Sequence, residues 1–264
     1  MNLQDSYDYS TMKNKFLILL LAVSLEAGAQ SYMAGFGTTH ALDTYLTPEH
    51  FSGEGFTYLY IGERYQPEKR WSSMMEHEVD FSVAEDRSES ISMLEGNYYI
   101  YWGKYYNWRL IDDKLRLQAG GLVNGNIGAL YAMLTSNNPV QARLSLNIMP
   151  SAVATYDLRL GRTRFSLRYE ADLHLAGLMF SPNYGQSYYE IFSRGDYDNN
   201  IVPTTIVSAP TMRQIFTIDW HTGKKWNLRV GYLGNYQQAQ VNNLKQHVYT
   251  HRVLIGITKA IGEK

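Results

Sequence analysis

The chain has 264 residues, 45% of them hydrophobic, and 24 basic against 25 acidic side chains for a formal net charge of −1. That balance leaves no basic footprint for nucleic acid, and the hydrophobic share lies far above that of a disordered chain. With no cysteine, thiol catalysis, disulfide frameworks and thiolate zinc sites are excluded. The length suits one large domain, since closed β-architectures reach roughly 250 residues.

The first recognisable element runs from Met12 to Gln30, MKNKFLILLLAVSLEAGAQ. Lys13 and Lys15 give it a basic start, Phe16 to Val23 an apolar run, and Ala27, Gly28 and Ala29 a small-residue stretch before Gln30, which is the pattern of a secretory signal peptide. The apolar run is about half of the roughly 20 residues that a spanning helix needs. The expectation is an N-terminal extension and signal peptide over 1–29, with Met12 as initiator, and an exported domain over 30–264.

From there the pattern has period two. In RTRFSLRYEADLHLAGL, Phe165, Leu167, Tyr169, Ala171, Leu173 and Leu175 share one face, while Arg164, Ser166, Arg168, Glu170, Asp172 and His174 share the other. In SMMEHEVDFSV, Met75, His77, Val79, Phe81 and Val83 lie opposite Glu76, Glu78, Asp80 and Ser82. A polar face that concentrates charges of both signs fits a narrow lumen, with the apolar face against lipid. The 22 tyrosines then find their place in interfacial girdles. The fold class expected is all-β, an antiparallel transmembrane β-barrel.

Short turns are predicted at 66–69, 112–113, 161 and 222–224, on the periplasmic side. They separate strands near 33–41, 53–63, 71–84, 90–109, 114–124, 141–160, 162–178, 212–221, 225–237 and 246–260, which makes ten. Long connections near 42–52, 125–139, 179–211 and 238–245 fall on the extracellular side. Two further β-like pieces, YYEIF at 188–192 and IVPTTIV at 201–207, would form a hairpin and give twelve.

Four separated stretches carry a resemblance: LDTYLTPEHFSGEG from Leu42, NNPVQARLSLNI from Asn137, FSPNYGQSYYEIF from Phe180 and RVGYLGNYQQAQVNNLKQHVYTH from Arg229. In these the chain resembles the Bacteroidales outer-membrane family catalogued as domain of unknown function 3316. The resemblance covers nearly the whole mature chain and implies an exported β-barrel, with no activity attached.

The candidate site residues follow from the strand faces. Glu76, Glu78 and Asp80 are carboxylates about 7 Å apart on one face, a spacing open to acid–base work or a divalent cation. With Arg164, Arg168, Glu170, Asp172 and His174 they are read as a lumenal charge network, in which Arg164 and Arg168 neutralise the triplet across a filled interior. On the same reading Ser166 accommodates an arginine where Leu167 does not. His247 and His251 sit roughly 13 Å apart on the last strand, too far for one ion, and are read as interfacial beside Tyr249. No metal site, cofactor or catalytic residue is expected.

In the longest connection Tyr184, Tyr188, Tyr189 and Glu190 are candidate binding residues for a glycan, lipid head group or partner protein, against the competing reading of a loop that merely folds over and caps the barrel mouth. Outer-membrane lipid is the one general partner, and the oligomeric state stays open. Two alternatives are kept: a small-solute channel or transport accessory, and a lipid-modifying acyl hydrolase. The latter requires a Ser and a His within about 3.2 Å at the membrane boundary. Ser88, Ser90, Ser187 and Ser193 with His50 or His77 are the available pieces, and none forms a local His-x-Ser pair on a strand.

Overall fold

The computed structural model describes residues 28–133, 139–223 and 225–259, so the signal-peptide reading lies almost wholly outside the described residues. The strands are β1 (Ala29–Asp43), β2 (Thr47–Arg64), β3 (Trp71–Asp86), β4 (Ser92–Leu110), β5 (Leu115–Ala132), β6 (Val140–Leu160), β7 (Thr163–Leu173), β8 (Ala176–Phe180), β9 (Ile201–Thr205), β10 (Thr211–His221), β11 (Trp226–Val241) and β12 (Leu244–Lys259). A short helix, α1 (Tyr188–Arg194), lies between β8 and β9.

Ten of these strands form a ring in the order β1-β2-β3-β4-β5-β6-β7-β10-β11-β12, every pair antiparallel. β12 returns to β1 from Ser31↔Thr258 to Asp43↔Gln246 and closes it. Closure leaves the ten-stranded ring without an edge, as a sheet in lipid requires, while β9, paired with β8 alone among the described residues, keeps one edge free. On its outer surface Val79, Phe81, Val253 and Ile255 are 44%, 49%, 70% and 62% exposed. Trp71, Trp108, Trp220 and Trp226, also exposed, cluster at the end where the short turns lie, as an interfacial belt should.

β8 and β9 are the two extra strands. The expected strand over 162–178 is interrupted at His174 and Leu175, and both halves lie along β6, with Ser151↔Asp172 and Ile148↔Ala176 as partners. Four residue steps on this strand (172 to 176) thus face three on β6 (151 to 148), a one-residue bulge. β9 pairs with β8, so IVPTTIV does contribute a strand. YYEIF does not: it forms α1, because Ser187 and Glu190 make a reciprocal capping box and Gly195 ends the helix at φ 75°.

The strands, 11 to 21 residues long in the ring, outrun the roughly 9 to 11 needed to cross a bilayer, so several connections are shorter than expected. The stretch 42–52 contracts to a turn at 44–46, and 238–245 to Asn242-Asn243. Both asparagines have positive φ (51° and 61°), the backbone of a type I′ hairpin turn.

The lumen is not wholly polar. Along β3, inward Met74 precedes Glu76, Glu78 and Asp80, and inward Ala84 follows them. Met74 belongs to an apolar cluster with Met33, Leu59, Ile61, Tyr105, Val153, Ile215, Leu233 and Leu254, and Ala84 to a second with Phe51, Met93, Leu130 and Val248. The charged band is therefore sandwiched between two apolar ones inside the barrel. This corrects the expectation of a polar inner face along the whole lumen: a small interior filled by side chains packs like a soluble core.

Candidate functional site

Period-two alternation on β3 and β7 turns the candidate carboxylates inward: Glu78, Glu170 and Asp172 are inaccessible, and Glu76 and Asp80 nearly so. Burying ionised groups is costly unless each is paired and hydrogen-bonded. Here the pairing comes from β10 and β12. Arg213 donates from Nη2 to Glu76 Oε2 at 2.6 Å, from Nε to Glu78 Oε2 at 2.9 Å and from Nη1 to Asp172 Oδ2 at 3.1 Å. Its guanidinium lies 4.2 Å over the Tyr101 ring, and Asn235 Nδ2 donates to the other Glu78 oxygen at 3.3 Å. One arginine thus joins strands β3 and β7 across the lumen.

Arg252 does the same for Asp80, donating from Nη2 to Oδ1 at 2.8 Å and from Nε to Oδ2 at 3.1 Å, a two-pronged pair. Its Nη1 donates to Thr38 O at 2.6 Å, and the same Nη2 that meets Asp80 is shared with Thr39 Oγ1 at 2.8 Å and Ser82 Oγ at 2.9 Å. Gly55 makes room for it, since a Cβ there would stand 2.3 Å from Arg252 Nη2.

These pairings correct the expected partners. Arg168 is buried, but it bonds Glu170 on its own strand and Met74 Sδ at 3.2 Å. Arg164 keeps the inward parity but lies exposed at the short-turn end, opposite Arg159 and His221. Ser166 is not a permissive site: its hydroxyl meets Asp157 Oδ1 at 2.5 Å and His221 Nε2 at 2.6 Å. Closer to that end, Arg229 holds Asp219 through two bonds of 2.5 and 2.6 Å, and Arg116 holds Glu63 at 2.9 and 3.0 Å.

His174, at the bulge between β7 and β8, is buried, and its Nε2 has no hydrogen-bond partner. It lines a lumenal cavity of about 40 Å³ together with Asn126, Arg143, Thr204, Arg213 and Gln237. None of the four loop candidates reaches this cavity wall.

Those four divide by role. The Tyr188 hydroxyl donates to Gln141 Oε1 at 3.0 Å and accepts from Ala142 N at 2.7 Å, so this ring ties the loop to β6. Glu190 caps α1 through Ser187 N and Oγ at 2.8 and 2.9 Å. Tyr184 and Tyr189 are 75% and 63% exposed. The bonds from Ser187, backbone first and then hydroxyl, hold the Glu190 carboxyl below the usual glutamate range. A depressed acid contributes stability that is present above its unfolded value of about 4.3 and lost as pH falls through the folded one. Amide exchange over 181–200 is therefore expected to accelerate as pH drops below about 4 relative to exchange in the barrel strands, after correction for the intrinsic rate. Glu190→Gln should flatten that dependence.

Ser88, Ser90, Ser187 and His77 are each held by a partner of their own. Ser88 and Ser90 are engaged by Asp86 and Ser187 by the helix cap, while His77 Nδ1 meets Tyr98 OH at 2.6 Å. His247 stacks on Tyr249 with ring centroids 4.6 Å apart and lies 5.4 Å from His50; His251 Nδ1 meets Tyr232 OH at 2.6 Å. A cross-strand neighbour pair that no local motif reveals, His40 on β1 and Ser52 on β2, places Nδ1 2.9 Å from Oγ on the exposed outer surface. Among the described residues, no group of three or more His, Asp or Glu side chains is arranged to hold a metal ion.

Residues 25–263 match the family described as Protein of unknown function (DUF3316). The chain belongs to that family. A search of curated proteins finds no match. Among solved structures the chain is similar to the translocator domain of the autotransporter NalP from Neisseria meningitidis, at 9% identity and a TM-score of 0.36, covering 97% of this chain and 98% of that one. The transport unit of the autotransporter AIDA-I from Escherichia coli is similar at 10% identity and TM-score 0.46, covering 89% and 90%. An outer-membrane channel from Pseudomonas putida is similar at 9% and 0.35, covering 88% and 94%. At that distance the role of each stays with its own protein. The closed antiparallel ring of this DUF3316 chain is of the outer-membrane kind on its own geometry.

Proposed function

We propose that this DUF3316 protein is an outer-membrane component that binds or braces rather than conducts, its lumen filled by its own side chains. The observation that supports this best is Arg213, inaccessible to solvent and bonded to Glu76, Glu78 and Asp172, with apolar clusters on both sides of the charged band. Ions crossing such a barrel must break buried pairs and wet two apolar bands. In this reading the N-terminal signal exports the chain, the apolar outer face meets lipid, and the carboxylates with Arg168 are structural. Tyr184 and Tyr189 offer the loop's contact surface to a glycan, head group or partner protein, while Tyr188 and Glu190 hold that loop in place. Proteoliposomes carrying the protein are expected not to swell in isosmotic small sugars. Swelling at the rate of a general porin would overturn the reading.

The His40–Ser52 pair favours a second reading, an acyl hydrolase facing the outer leaflet. There Ser52 Oγ attacks an ester carbonyl, its proton passes to His40 and then to the departing alkoxide, and water later releases the acyl group. The backbone amides of β1 and β2 around the pair are in ladder register, so oxyanion donors would have to come from side chains. A fluorophosphonate probe decides: label on wild type that is lost in Ser52→Ala adopts this reading, and unlabelled wild type removes it.

A further inference from the structure

The lumenal cavity differs from the rest of the barrel interior in charge. Carboxylates crowd the band beside it, yet among the described residues its wall contains none: Arg143, Arg213, His174, hydroxyls and side-chain amides form it together with Met149, Met179 and two alanines. Arg213 is fully occupied by Glu76, Glu78 and Asp172, whereas Asp43 and Glu95, the carboxyls that act on Arg143, do so through space without a hydrogen bond to it. Arg143 is 4% exposed and donates from Nη2 to Gln237 Oε1 at 2.7 Å, while its Nε and Nη1 have no hydrogen-bond partner. His174 Nε2, Asn126 Oδ1 and Thr204 Oγ1, all on the same wall, also lack one. An unmet guanidinium in a buried site is expensive, and an oxyanion is the group that meets it with the most energy.

The cavity also lies beside a break in the sheet. The β10–β11 ladder ends at Thr211↔Gln237, beyond which β9 pairs with β8 and the rest of β11 with β12. Thr204 and Ala209 on one side of that divergence, and Gln238 and Ala239 on the other, line the cavity. A backbone bond from Gln240 N to Ser208 O, 2.8 Å, bridges it, and Ile206 and Val207 stand exposed beside it, Val207 at 87%. A volume of about 40 Å³ exceeds the roughly 30 Å³ share of one water, so a phosphate-sized group enters only as wall side chains such as Arg143 and Gln237 draw aside.

We infer that this cavity is a binding site for a phosphate-type oxyanion, with Arg143 as its charged donor, taken either as the free ion or as the head group of an amphiphile whose chain lies along the outer wall. The inference rests on the closed-lumen reading above and assigns that barrel its ligand class.

The test is calorimetric titration of the purified, detergent-held barrel with two probes, inorganic phosphate and short-chain phosphatidic acid. Saturable binding of either is expected, weakened at least tenfold in Arg143→Gln and partly retained in Arg143→Lys. Binding of phosphate identifies a free-ion site, and binding of phosphatidic acid alone identifies a head-group site. Thr204→Val, which leaves the arginine in place, serves as a second variant should Arg143→Gln fail to fold, and is expected to weaken binding severalfold. If neither probe binds wild type, or if binding is unchanged in the folded variants, the inference is overturned. Swelling measured on the same preparation separates the two claims, since a conducting barrel that still binds phosphate would sink only the closed lumen.

Discussion

Arg213→Gln is expected to destabilise the barrel by about 3 to 5 kcal/mol, because it strands buried carboxylates without their counter-charge. The readout is the temperature at which the detergent-extracted barrel loses its compact gel mobility. Glu76→Gln combined with Arg213→Gln should recover part of that loss, since the pair interacts at 2.6 Å and its removal relieves the stranded charge. Glu78→Gln, at 2.9 Å from the same guanidinium, should rescue in the same sense. A cycle of Glu78→Gln with Arg168→Gln is expected to be close to additive, because Arg168 is engaged with Glu170 instead. Losses that simply add across Arg213 and both glutamates, together with stabilisation by a divalent cation, would make the triplet an ion site and not a structural one.

The second large effect concerns the outer face. Val79→Arg puts a charge at the lipid-facing centre of β3 and should cost about 2 to 4 kcal/mol, whereas Glu85→Arg, on the same face near the loop end, should cost about 0 to 1. Both side chains are exposed on the ring, so packing alone predicts little difference between them. Equal costs measured by reversible unfolding into lipid would contradict the membrane placement of this surface. Ser166→Arg is no longer a mild control, because it would break a buried hydroxyl with two partners.

The alternation in 71–84 and 162–175 was legible because one apolar and one ionic face differ in kind, and each residue's parity then sets its side. The ten-strand ring follows from that parity together with turn residues such as Gly161 and Asp112-Asp113, whose backbones do take positive φ. Pairing across the lumen was not legible, since it depends on which strands face each other and at what shear. Arg213 and Arg252 nonetheless carried a signal: Phe216, Ile218 and Trp220 mark the outer face of β10, as Val253 and Ile255 do for β12, so each arginine falls on the inner one. YYEIF misleads because its aromatics favour a strand, while the Ser187–Glu190 box that makes it helical is a local signal of a different period. His40 and Ser52, twelve residues apart, meet only through the β1–β2 register.

The closed lumen is tested most directly by planar-bilayer recording of the purified, refolded protein in molar potassium chloride. An electrically silent barrel is expected at moderate voltage, with steps appearing only after Arg213 and its carboxylate partners are replaced together by small neutral residues. Stable wild-type conductance of porin size would contradict it.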